Sequence, residues 1–215
     1  MPSSHDPSSR RSRRSPVDLR QQILEAAGEL FLRDGYANTS LDAVIERVGG
    51  SKRAIYSHFG GKDDLLAAML TDISEEVLRA LPDADAAAGD DVRASLTQFA
   101  GAVMRALMDP RTVALYRLVI AEGVRRPVLA DIFLRSGPRR ALEGLAQLLS
   151  RHAKAGSLTI ANPVATAEHF IGMLRDDTYL EVLLGVRPPL TERAWKARVT
   201  RAVDIFLQGT ATRPG

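Results

Sequence analysis

The sequence predicts an all-α fold, with an N-terminal helix-turn-helix unit of three helices followed by a larger helical bundle. Three observations predict it. Apolar residues recur at three- and four-residue spacing along most of the chain, no stretch alternates with a period of two, and the joints Asp109-Pro110, Arg126-Pro127, Gly156, Asn162-Pro163 and Pro188-Pro189 fall at helix-sized intervals. Hydrophobic residues make up 45% of the 215, enough for a full core. No longer-period repeat is evident.

Residues 1–16, MPSSHDPSSRRSRRSP, hold almost nothing to bury and are expected to form a disordered basic arm. Its Arg10, Arg11, Arg13 and Arg14 suit phosphate or a minor groove, or serve only to keep the chain soluble. From Val17 to Arg33, Leu19, Ile23, Ala27, Leu30 and Phe31 share one side of a supporting helix that stops at Gly35. Ser40 then suits an N-cap, and Leu41, Val44, Ile45 and Val48 follow at i, i+3, i+4 and i+7. Gly49 and Gly50 break that helix. Ser51 caps a second one with Ala54, Ile55 and Phe59 inward, and two short helices across a glycine turn suit a major-groove reader.

The polar side of this second helix carries the functional signal. Lys52, Arg53, Tyr56 and Ser57 share the face opposite the core. Lys52 and Arg53 occupy the first turn, where the helix dipole is positive and Asp or Glu would be favoured. Lys62 repeats the anomaly at the next helix start, ahead of Asp63 and Asp64. Phosphates lying across these helix starts reverse the sign of the effect, because they meet both the cations and the free backbone N–H groups.

The stretch FLRDGYANTSLDAVIERVGGSKRAIYSHFGGKDDLL, within about Leu19 to Leu66, resembles the TetR family of bacterial transcriptional regulators. The resemblance implies that Ser40, Tyr56, His58 and Lys62 hold phosphates, while Lys52, Arg53, Ser57 and sometimes Tyr56 approach base edges. Two positions depart from the pattern. Gly50 replaces a small apolar residue and should loosen the turn, and Asp42 replaces a base-reading Arg in some members, leaving it a role in capping or in discrimination against bases.

On this reading residues 17–64 form the DNA-binding domain and 65–209 the effector-binding and dimerisation domain, with a helix over 62–81 as the link and 210–215 as a tail. Pro82 to Asp91 is the connector. Further helices are expected over Val92–Met108, Thr112–Glu122, Val128–Ala155, Pro163–Leu184 and Thr191–Leu207, with Gly137-Pro138 either kinking or dividing the third. The last two helices are apolar on more than one face. Phe170, Leu174, Trp195, Val199, Val203 and Phe206 are candidates for a four-helix interface between two copies, the two-fold arrangement that a palindromic operator needs and that the TetR resemblance implies. The region RLVIAEGVRRPVLADIFLRSGPRRALEGLAQLLSRHAKAGSL, with FIGMLRDDTYLEVLLG, is similar to the C-terminal domain of AefR-like members.

A small-molecule pocket is expected in the second domain, with Phe99, Met104, Tyr116, Phe133, His169, Phe170, Met173 and Tyr179 as candidate linings and Arg175 with Asp176 as a charged pair nearby. Enzyme chemistry has little to stand on: there is no Cys, no glycine-rich phosphate loop and no G-x-S-x-G, and His5, His58, His152 and His169 lack metal-ligand spacing. No cofactor or metal is therefore expected. The net charge of +3 and pI near 9.5 are compatible with nucleic acid. No apolar run is long enough to span a membrane, and the charged start followed by an amphipathic helix fits a secretory leader poorly, so the expected location is the cytoplasm. The expected function is a homodimeric regulator, a repressor released from double-stranded DNA by a small-molecule effector. A helical binding protein, a helical enzyme and a transcriptional activator are the rival readings.

Overall fold

In the computed structural model, residues 16–82 and 91–210 are described. The basic arm and the C-terminal tail lie outside them apart from Pro16 and Thr210, as does the interior of the connector. Eleven helices account for the described regular structure, apart from a single bridge residue at Leu158. They are α1 (Pro16–Asp34), α2 (Leu41–Val48), α3 (Lys52–Phe59), α4 (Lys62–Arg79), α5 (Val92–Met108), α6 (Pro110–Gly123), α7 (Pro127–Ser136), α8 (Pro138–Lys154), α9 (Pro163–Leu174), α10 (Asp177–Leu184) and α11 (Glu192–Thr210).

Local chemistry explains most of the boundaries. Ser40 and Ser51 accept hydrogen bonds from the N–H groups of Ala43 and Ala54, at 3.1 and 3.3 Å, satisfying donors that a helix start leaves open. Gly49 ends α2 at φ 73°, a left-handed conformation that a side chain would resist. Asp91, Asp109 and Asn162 cap α5, α6 and α9 in the same way as the two serines. Pro stands first in α6, α7, α8 and α9, where its missing N–H costs nothing.

Two of the expected long helices are divided. At Gly137-Pro138 the division separates α7 from α8. The helix expected over Pro163–Leu184 is interrupted as well, and the cause is Asp176. Its carboxylate accepts from the N–H groups of Thr178 and Tyr179, so it starts a new helix at a point where apolar periodicity alone suggested continuation. Its other oxygen pairs with Arg198 of α11, which also donates to the Thr178 hydroxyl.

Packing produces two cores. One gathers α5, α8, α9, α10 and α11 around Leu96, Phe99, Met104, Leu145, Leu149, Phe170, Val182 and Val203. The other fills the N-terminal unit with Ile23, Leu24, Phe31, Val44, Ile55 and the inward face of α4, but it also takes in Leu115, Leu118, Leu129 and Phe133 from α6 and α7. The hydrophobic cluster of the DNA-binding unit therefore crosses position 64 and includes side chains from the second half of the chain.

Asp176→Ala removes both the α10 cap and the Arg198 partner. It is expected to lower stability by about 1–2 kcal/mol in urea denaturation, while Asp177→Ala, one residue on, changes it by less than about 0.5 kcal/mol.

Candidate nucleic-acid interface and sensor cavity

Helix α3 is anchored by Ile55 and Phe59, which are 1% and 8% exposed, and this fixes which side of the helix faces out. Lys52, Arg53, Tyr56 and Ser57 are all exposed, with Tyr56 at 55%, as their spacing predicted. Arg53 carries no ion-pair partner among the described residues. Ser57 donates to the Ala54 carbonyl at 2.9 Å, and its lone pairs remain outward. Ser40 is exposed at the start of α2. Because it accepts the capping bond, its O–H proton remains available to donate.

Lys52 is engaged differently. Its Nζ lies 2.9 Å from Asp42, and that hydrogen bond raises the lysine's pKa. Asp42 thus acts on Lys52 and takes no part in the capping bond, which Ser40 makes. Both side chains are more than half exposed, so the pair is easily exchanged for a phosphate contact.

His58 and Lys62 sit closer in. The His58 ring lies 6.1 Å from that of Phe59 and is half-buried. Lys62 Nζ stands 4.1 Å from the centroid of Tyr36, over the ring face. Partial burial, and then the charge of Arg126, hold its pKa below the ordinary 10.5, so an incoming phosphate would relieve a strained cation.

The neighbours of Lys62 form a cluster that sequence reasoning missed. The Tyr36 hydroxyl donates to Asp63 Oδ1. Arg126, at the α6–α7 joint, donates from Nε to the same oxygen at 3.1 Å, pairs with Glu122, and lies 4.2 Å over the Tyr36 ring. The Tyr36 bond, followed by Arg126, pulls the Asp63 pKa below 3.8, while burial is the largest of the effects that push the Tyr36 phenol up to about 12. One side chain of the second half of the chain thus grips the start of α4 and the α1–α2 loop. Tyr36 and Arg126 are 90 residues apart, and nothing local in the sequence connects them.

The second feature is a partly open cavity of about 60 Å³ bounded by α4 (Ser74, Val77, Leu78), α5 (Val103, Leu107), α6 (Leu115, Tyr116), the α7–α8 joint (Phe133, Gly137, Pro138) and Arg175. Of the expected lining residues, Tyr116 and Phe133 are present, packed edge to face at 5.0 Å. The rest are placed otherwise. Phe99, Met104, Phe170 and Tyr179 are buried in the α5–α11 core, Met173 packs against it, and His169 is exposed on α9. Asp176 faces Arg198, leaving Arg175 alone at the cavity.

The residues expected at the dimer contact lie inward in the single chain. Phe170, Leu174, Trp195, Val199, Val203 and Phe206 are all at most 7% exposed within a single chain, and Phe170 meets Phe206 edge to face at 4.9 Å. Apolar periodicity marked the face that fills the chain's own core. The apolar side chains left outward on these helices and the turn after α10 are Val164, Leu180, Leu184, Val186 and Ile205, between 52% and 74% exposed.

A short capped helix with an open basic face, joined through one long helix to a cavity-bearing bundle, defines the class of helix-turn-helix regulators with a sensor domain. The family model for bacterial regulatory proteins of the tetR family matches residues 23–69, and that for the AefR-like transcriptional repressor C-terminal domain matches 94–209. The chain belongs to the TetR family. It is 26% identical over 144 residues to the transcriptional regulator SrpR of Pseudomonas putida, covering 66% of this chain and 65% of SrpR. It is 38% identical over 66 residues to the transcriptional regulator TtgR, also of Pseudomonas putida, covering 31% of each. The matches thus span less than two thirds of these curated relatives. Among solved structures, the flavonoid-responsive regulator FrrA is 31% identical, with a TM-score of 0.77 over 91% of this chain and 98% of FrrA.

Because the folded Asp63 pKa is depressed, its contribution to stability is present above the unfolded value and is lost as pH falls from about 4 through the folded pKa. Tyr36→Phe removes the main cause. An NMR titration of the Asp63 carboxyl should show its midpoint rise toward 3.8, with acid unfolding beginning at a higher pH than in the parent protein.

Proposed function

We propose that the protein is a ligand-responsive repressor that binds a near-palindromic operator as a homodimer and leaves it when a small molecule enters the cavity. The observation that carries the reading is the outward set on α3, namely Lys52, Arg53, Tyr56 and Ser57 on a helix whose opposite side is locked by Ile55 and Phe59. Arg53 and Ser57 are placed to read base edges, and Ser40, His58 and Lys62 to hold phosphate on either side. The family resemblance to FrrA, named as flavonoid-responsive, supports a small-molecule signal. The reading assigns the chain no catalysis and places it with the chromosome in the cytoplasm. No described helix is long and apolar enough to cross a membrane.

Two copies are needed because one α3 reads only a half-site. The outward apolar residues of α9, α10, the turn after it and α11 supply the contact between copies, with Leu180, Leu184, Val186 and Ile205 at its centre. The signal runs by two routes from the same cavity. Ser74, Val77 and Leu78 lie on α4 itself, and Tyr116 and Phe133 lie on the helices that converge on Arg126. A ligand that parts these walls changes both the α4 direction and the Arg126 grip on Asp63 and Tyr36. The two reading heads then no longer match major grooves one turn apart, about 34 Å.

Footprinting of the purified protein on DNA upstream of its own coding region should show a protected site with two related halves. Absence of sequence-selective protection under excess competitor DNA would remove the regulator reading. On that site, Arg53→Ala should erode discrimination against altered half-sites by about 1–3 kcal/mol. Lys62→Ala should instead weaken all sequences alike and lower the salt slope by about one. Arg126→Ala should leave ligand affinity within about twofold but shrink the ligand-induced loss of operator affinity, measured by fluorescence anisotropy with and without ligand.

A further inference from the structure

The cavity has a one-sided hydrogen-bonding character. Its lining contains one cation, Arg175, and no carboxylate. Arg175 Nη2 donates to the Tyr116 hydroxyl oxygen at 3.0 Å, and the guanidinium lies 5.8 Å from that ring's centroid. The adjacent Asp176 is turned away to cap α10 and to meet Arg198. Among the described residues no carboxylate pairs with Arg175. Tyr116 accepts from Arg175, so its own proton is still free to be donated, and burial keeps that proton on by raising the phenol above its ordinary pKa of 10.0. The Tyr116 proton and the remaining N–H groups of the exposed Arg175 therefore converge on one end of the cavity, where the lining offers no carboxylate to receive them.

The α4 wall carries a second polar group. Ser74 is 4% exposed and its hydroxyl has no hydrogen-bond partner among the described residues, an arrangement that costs free energy unless a bound group supplies one. A Cβ built at Gly137 would lie 3.3 Å from its Oγ, closer than ordinary contact, so the α7–α8 joint packs closely on this hydroxyl only because position 137 is glycine. Everything else in the lining is aliphatic, aromatic or, in Thr112, already bonded to Asp109. The space is also narrow, with a volume of about 60 Å³. A slot edged by Tyr116 and Phe133 accepts a flat ring system more readily than a branched or bulky molecule.

We propose that the ligand is a planar aromatic compound with an acidic oxygen, a carboxylate or a phenolate, directed at Arg175 and Tyr116, and with a polar substituent at its far end for Ser74. The assignment rests on the reading of this cavity as the sensor site. Arg175 is exposed at the cavity's rim, and cationic compounds are disfavoured because they would meet its charge there with no carboxylate in the lining to compensate.

The test uses the full-length protein and three probes of one shape: 6-hydroxy-2-naphthoate, its neutral carboxamide and 6-(aminomethyl)-2-naphthol. Calorimetry should show the acid binding about tenfold or more tightly than the amide, and no binding of the amine. Arg175→Gln should bring acid and amide within about twofold of each other, Arg175→Lys should retain a preference for the acid, and removing the far hydroxyl, as in 2-naphthoate, should weaken binding to the parent protein but not to Ser74→Ala. Equal binding of the amide or the amine, an acid preference that survives Arg175→Gln, or failure of all three probes overturns the assignment. Operator release is followed in parallel. Should the acid bind in an Arg175-dependent way without loosening DNA, the ligand class stands and the regulatory reading falls. Should another compound release the operator while the acid does not bind, the regulatory reading stands and the ligand class falls.

Discussion

The inward face of α4 is shared between two packing partners, and this is the constraint on which the rest of the molecule depends. Leu65, Leu66, Met69, Leu70 and Ile73 are each at most 2% exposed. They are held on one side by α1 of the DNA-binding unit and on another by α7. At interior packing density such a helix cannot yield to one neighbour without moving against the other. Ser74, Val77 and Leu78, in the next turns, are walls of the cavity. On the proposed function, a small displacement there turns α4 as a rigid lever, because the contacts further up offer no soft place to absorb it.

The polar contacts around α4 matter for geometry more than for energy. Asp63 is largely solvent-exposed and Arg126 only a third exposed, so their pairing adds modestly to stability. Arg126 nevertheless touches a carboxylate, a second acid and an aromatic face at once, which fixes the α6–α7 joint against the start of α4. Asp42 does comparable work on the reading helix by holding Lys52 near α2. On the proposed function, DNA that engages Lys52 displaces that carboxylate, so part of the binding free energy is set against an interaction already made in the free protein.

The helical architecture and the basic face were legible because they depend on neighbours in sequence. Ser40 and Ser51 cap, Gly49 turns, Pro110, Pro127, Pro138 and Pro163 start helices, and Lys52, Arg53, Tyr56 and Ser57 follow from a period of 3.6. What stayed hidden depends on which apolar stripe meets which. Phe170 and Val203 carry the same periodic signal whether they face their own core or a second copy, and only three-dimensional packing assigns them inward. His169 lies one residue from a buried Phe yet points to solvent, a difference of a quarter-turn that composition cannot reveal. Asp176 is read equally well as a mid-helix surface acid or as a cap. Asp63 and Arg126 are separated by 63 residues, beyond the reach of any local pattern.

The N-terminal hydrophobic cluster contains Leu115, Leu118, Leu129 and Phe133. A reading head severed after α4 would present the surface that these side chains cover to water, so the motif boundary in sequence is not a place where the molecule can be cut cleanly. Recombining heads and sensors from different regulators of this kind means carrying the matching surfaces of α1, α4, α6 and α7 together. The unit that can be exchanged is larger than the part that touches DNA.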